Sequence, residues 1–111
     1  MTNDDDAEDE GGIKITVLYG QPKDPAAFEQ YYAETHLPLV DEVDDLGPVE
    51  LSMGLPGPDG SPPEFYRMAE LWFENEDHLQ SVTATAEWKR VVEDVPKFAT
   101  GGAKVLVSKI E

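Results

Sequence analysis

The sequence predicts an α+β domain: a four-stranded antiparallel sheet with its helices packed on one face. Three observations carry this. Four short runs rich in β-branched residues alternate apolar with polar positions, two segments repeat apolar residues at helical spacing behind clear N-caps, and the order is strand, helix, strand, strand, helix, strand.

The first strand is IKITVLY over residues 13–19, with Ile13, Ile15, Val17 and Tyr19 on one face and Lys14, Thr16 and Leu18 on the other. After a turn, Asp24 as N-cap and Pro25 at the first helical position open a helix. Phe28, Tyr32, Leu39, Val43 and Leu46 fall within roughly 60° of one another at about 100° per residue, which predicts a buried stripe reaching to Gly47. Pro38 lies inside this helix. It lacks the N–H owed to the carbonyl of Glu34 and crowds that turn, so a kink is expected beside His36.

The second strand covers residues 49–55, and the run PGPDGSPP at 56–63 can only be loop. Residues 65–74 form the third strand, so the two make a wide hairpin. Asn75 caps a second helical segment and Thr85 a third, which carries Trp88, Val91, Val92 and Val95 towards an exit at Pro96. Gly101 and Gly102 turn the chain into the fourth strand, residues 103–110. The order βαββαβ is that of the ferredoxin-like split unit.

Strand parity then separates two faces. Odd positions are nearly all apolar and are expected under the helices. Even positions mix Lys14, Glu50, Glu70 and Lys104 with Leu18, Tyr66, Met68, Trp72, Leu106 and Ile110, too apolar for bulk water and too charged for a core. A second copy meeting this face, sheet to sheet, would close a dimeric α+β barrel.

At 111 residues one domain is expected, residues 13–111, preceded by an acidic tail over residues 1–12 that holds no large hydrophobe besides Met1 and is expected to be disordered. The charge is −16, from 24 acids against eight bases; setting aside the six tail acids leaves an excess of ten, so the imbalance is global. It excludes nucleic acid as partner and suits a high-salt cytoplasm, where self-repulsion is screened. The absence of cysteine removes disulfides, thiolate catalysis and cysteine metal sites. No apolar run is long enough for a membrane span, and the acidic N-terminus is unlike a signal peptide, so a cytoplasmic location is expected. The tail lacks the ligand spacing of a calcium loop, and Gly54, Gly57 and Gly60 lead into a strand without a lysine, unlike a phosphate cradle.

The chemistry rests on few residues. His36 sits at the edge of the buried stripe, either as a proton-transfer group or as a core histidine with a backbone partner. Tyr31, Tyr32 and Thr35 are its neighbours at the kink. Arg67 is the only charged residue at odd positions between Phe65 and Phe73, as an anchor for a carbonyl or anion or as a partner for a carboxylate. Parity, periodicity and the terminal turn add Tyr19, Leu39, Met53 and Phe98 to one expected pocket. His78, in a first helical turn, is expected to be exposed without a role. Neither a metal site nor a nucleophile elbow is present in the pattern.

The run KITVLYGQPKDPAAFEQYYAETHLPLV, with LSMGLPGPDGSPPEFYRMAELWF and FATGGAKVLV, resembles the EthD family of small dimeric α+β-barrel proteins over residues 13–110. The most specific piece is Tyr31, Tyr32, Thr35, His36, Pro38 and Leu39. The resemblance implies a homodimer, no metal or prosthetic group, a pocket near the first-helix histidine, and an association with oxidative degradation of ethers and polyketide modification. Asp41, Glu42, Asp44 and Asp45 depart from it at the surface. Two functions follow as expectations. One is a cofactor-independent enzyme acting on a hydrophobic carbonyl-bearing or cyclic metabolite, with His36 catalytic and Tyr19, Tyr31, Tyr32, Thr35, Leu39, Met53, Arg67 and Phe98 binding substrate. The other is a non-catalytic protein that shelters such a metabolite for an oxygenase.

Overall fold

Strand β1, Ile13–Tyr19, is the spine of the fold in the computed structural model, which describes residues 12–111. It pairs antiparallel with β3, Arg67–Phe73, on one side and with β4, Ala103–Lys109, on the other. Strand β2, Val49–Met53, adds to β3, giving the order β2-β3-β1-β4 of a ferredoxin-like sheet. The expected tail lies outside the described residues except for Gly12, whose carbonyl accepts a bond from the Ile110 N–H at 2.8 Å and so belongs to the sheet.

The first helix begins as expected, with α1, Pro25–Tyr31, capped by the Asp24 carboxylate on the Ala27 N–H at 3.2 Å. It does not simply kink. Residues Tyr32–His36 form a π-helical turn, in which the Leu37 N–H reaches back to the Tyr32 carbonyl, before α2, Leu37–Asp41. Widening the turn accommodates Pro38, whose ring would collide with the Glu34 carbonyl of a regular α-helix. The helix also ends earlier than the apolar stripe suggests. Asp41, Glu42, Asp44 and Asp45 put four carboxylates at its C-terminal, electronegative end, and Asp45 turns the chain at φ 65°. Val43 nonetheless stays in the core.

Asn75 and Thr85 cap α3, Glu76–Thr83, and α4, Ala86–Asp94; a single 3₁₀ turn, Val95–Lys97, leads out of α4. Ile15, Ala69, Leu71 and Phe73 of the central strands pack with Val43, Val82 and Val91, while Tyr19, Phe28, Tyr32 and Phe98 form a separate aromatic cluster at the other end.

Parity holds for β3, and for β1 apart from Thr16, which is buried on the even face, but not for the edges. Val49, Leu51, Met53, Val105 and Val107 are exposed on the helix side, because the helices span the central strands and leave the flanks open. Strand β2 stops at Met53, short of Leu55, as Gly54 and Pro56 lead into the loop. Tyr66 precedes β3, so parity does not govern it: its ring packs edge-on against Phe28 at 5.0 Å on the helix side, away from the even face. Lys14 and Glu70 do pair across the even face, at 3.1 Å, within one chain. His78 is not free at the surface. Its Nδ1 accepts the Glu74 N–H at 2.9 Å and its Nε2–H donates to the Asp45 carbonyl at 2.6 Å, pinning the α2–β2 turn to α3.

Candidate active site

Between the sheet and the helices lies a cavity of about 440 Å³, a volume ordinary for a small-molecule site. Ile15, Val17, Ala69 and Leu71 form its floor; Leu37, Val40, Val91 and Val95 form its roof; Val49, Leu51 and Val105 flank it. Tyr19, Tyr32, His36 and Thr83 bring the polar side chains, and the Thr83 hydroxyl is occupied by the Leu79 carbonyl at 2.9 Å.

His36 ends the π turn and lies on this wall. Four positions apart at the two ends of that turn, the rings of Tyr32 and His36 stack at 5.7 Å and 16°. The Phe98 ring, delivered by the chain leaving α4, covers the imidazole at 4.6 Å. Nδ1 of His36 lies 2.9 Å from Oδ2 of Asp94, with both side chains at least 95% buried. The second carboxylate oxygen of Asp94 accepts the Tyr31 hydroxyl at 2.7 Å. A carboxylate beside Nδ1 selects the tautomer with its proton on that nitrogen, leaving the Nε2 lone pair without a protein partner among the described residues. Burial pushes the imidazole below its ordinary pKa, against the opposing pull of Asp94, and so favours the neutral form that accepts a proton.

Of the residues expected in the pocket, Tyr19, Tyr32 and His36 line the cavity. Tyr31 does not; it holds Asp94 and stacks on Phe98 at 5.5 Å. Phe98 packs behind His36. Thr35 points outward from the π turn and is exposed, Leu39 packs into the core away from the cavity, and Met53 is exposed at the sheet edge opposite Arg67. Arg67 is drawn off by Glu29, which takes its guanidinium in a two-pronged pair at 2.6 and 3.0 Å and also accepts the Tyr66 hydroxyl at 2.8 Å. These bonds hold the Glu29 carboxyl below its ordinary range. Arg67 therefore touches the site only through Tyr32, whose ring centroid lies 5.1 Å from the guanidinium carbon.

Sequence reading missed Asp94. The available signal was its position between Val91 and Val95 on the apolar side of α4, an unusual place for a carboxylate without a partner. Among the described residues no three His, Asp or Glu side chains come together so as to hold a metal ion, and no helix is long and apolar enough to cross a membrane.

Fold and site together define a ferredoxin-like α+β protein with an apolar cavity and a buried histidine–aspartate pair at its wall. The EthD domain model matches residues 20–102, and the chain belongs to the EthD family. An uncharacterized 11.0 kDa protein encoded in the thcB–thcC intergenic region of Rhodococcus erythropolis is 33% identical over 98 residues, covering 88% of this chain and 94% of the relative. The crystal structure of an ethyl tert-butyl ether D (EthD) family protein from Bacillus halodurans superposes with a TM-score of 0.82 at 29% identity, over 90% of this chain and 99% of that one. Two more distant structures share the fold alone. A dimeric ferredoxin-like protein of unknown function from Thermobifida fusca gives 0.65 at 12% identity, over 90% and 92% of the two chains. SnoaB, a cofactor-independent oxygenase from Streptomyces nogalater, gives 0.59 at 12%, over 92% and 94%.

Proposed function

We propose that the protein is a cofactor-independent enzyme that takes a proton from carbon beside a carbonyl in a hydrophobic metabolite. The observation that carries this reading is the 2.9 Å pair between His36 Nδ1 and Asp94 beside an apolar cavity. The substrate C–H proton moves to Nε2, the electron pair passes into the carbonyl as an enolate, and Asp94 faces the imidazolium that forms. The same fold in a cofactor-independent oxygenase supports a reaction carried without a cofactor.

The catalytic unit is a homodimer in which the even faces of two sheets meet and close a barrel. Support comes from the dimeric state of the T. fusca relative in fold and from Leu106 and Ile110, exposed apolar residues on the same face as Met68 and Trp72. The charge of −16 adapts the protein to concentrated salt.

Mass spectrometry of compounds co-purifying with the wild type and with His36→Gln tests the function. Turnover of the compound by the wild type alone supports catalysis. Retention of one unmodified compound by both proteins, with no turnover by either, supports instead a protein that shelters a metabolite for an oxygenase.

A further inference from the structure

Tyr19 and Tyr32, each only 2% exposed, carry the other hydroxyls at the cavity wall. A phenol buried this deeply ordinarily finds hydrogen-bond partners. Their rings meet edge-on at 5.7 Å; the tyrosine hydroxyls that do hold protein acceptors are those of Tyr31 and Tyr66. The Tyr32 proton, at the cavity wall, has no protein acceptor among the described residues. The cavity therefore holds two unpartnered groups of opposite sense, borne on rings stacked 5.7 Å apart: a donor on Tyr32 and an acceptor at His36 Nε2.

We infer that Tyr32 and His36 form a two-point recognition element for a neutral ligand that carries an ionisable proton on, or conjugated with, an oxygen acceptor, as in a phenol or an enolisable ketone. The inference rests on the proposed role of His36 and adds the ligand class and a binding role for Tyr32. The ligand's proton passes to Nε2, its electron pair stays on the ligand oxygen, and the Tyr32 hydroxyl donates to that oxygen. No other reactant is needed. The charge pair so created is matched on both sides: Asp94 adjoins the imidazolium, and the Tyr32 hydroxyl donates to the ligand oxygen. A ligand that arrives already charged has no such match, because Arg67 does not line the cavity and the remaining wall is almost wholly apolar.

The probe is 4-nitrophenol, whose absorbance separates phenol from phenolate, titrated at a pH where the free compound is protonated. Bound to the wild type it should show phenolate absorbance. Tyr32→Phe should lower affinity about tenfold and diminish that absorbance, the loss of one charge-assisted hydrogen bond. On the wild type, 4-nitroanisole, which has no proton to give, should bind at least about tenfold more weakly; this comparison decides the matter even if Tyr32→Phe fails to fold. The inference is overturned if bound 4-nitrophenol stays protonated, if folded Tyr32→Phe binds it as the wild type does, or if 4-nitroanisole binds equally well. A wild type that ionises 4-nitrophenol but catalyses nothing keeps this inference and removes the enzymatic function. Catalysis through His36 with unchanged ionisation in Tyr32→Phe removes only the role of Tyr32.

Discussion

His36 and Asp94, 58 positions apart in the chain, meet at 2.9 Å in a setting where both side chains are almost wholly buried. The imidazole comes from a π turn and the carboxylate from the C-terminal end of α4, and Tyr31 holds the carboxylate from its far side. A buried carboxylate that points at one ring nitrogen leaves the other free to do chemistry.

Replacing Asp94 with Asn keeps the shape and removes the charge. Since Asp94 is what opposes the effect of burial on His36, the imidazole should titrate at still lower pH in this variant, and folding stability should fall by about 1.5–3 kcal/mol. An NMR titration of the His36 ring and a urea unfolding curve measure the two effects.

The lowered pKa of His36 also links stability to pH. In the unfolded chain the imidazole takes up its proton near 6.5, whereas in the folded protein it resists until lower pH, so the unfolded state binds more protons in that window. Stability should therefore drop as pH falls from 7.5 to 5.5. Chemical unfolding midpoints at the two values should differ less in His36→Gln than in the wild type.

Much of this arrangement was legible from residue spacing, and the exceptions have physical causes. Asp24 with Pro25, Asn75 and Thr85 marked the helix starts, since a side-chain oxygen on a free N–H is a local event. Alternation gave β1 its bounds, and helical periodicity put His36 at the edge of the buried stripe. The Asp94 partner, the Glu29 claim on Arg67 and the Asp45 contact of His78 are encounters between distant segments, and spacing within one segment carries no trace of them. Pro38 announced a disturbance, but whether a helix answers with a kink or a π turn depends on how the flanking residues pack: here Tyr32 on one side and Val40 and Val43 on the other.

The even face of the sheet gives a test of assembly. Met68→Asp, flanked across the sheet by Leu18 and Ser52, would place an unpaired charge on the face where two protomers are proposed to meet, costing several kcal/mol, so it should convert a dimer to a monomer while the helix-side core stays intact. Light scattering in molar salt together with circular dichroism separates dissociation from unfolding; a wild type that is already monomeric removes the barrel.

Salt should stabilise the fold. With an excess of ten negative charges outside the first 12 residues, melting temperature should climb between tens of millimolar and molar potassium chloride, and deletion of residues 1–11 should reduce the slope only in part. A flat profile would contradict the adaptation to concentrated salt.

The claim that His36 moves a proton is tested most directly by exchange of the α-protons of 2-tetralone into deuterium oxide, followed by proton NMR. This ketone is small enough for a cavity of about 440 Å³ and enolises readily. The wild type should accelerate exchange over buffer by roughly a hundred- to ten-thousand-fold, and His36→Gln, folded as judged by its melting curve, should return it to the buffer rate. Exchange at the buffer rate with the wild type, or equal acceleration by both proteins, would contradict a proton-transfer role for His36.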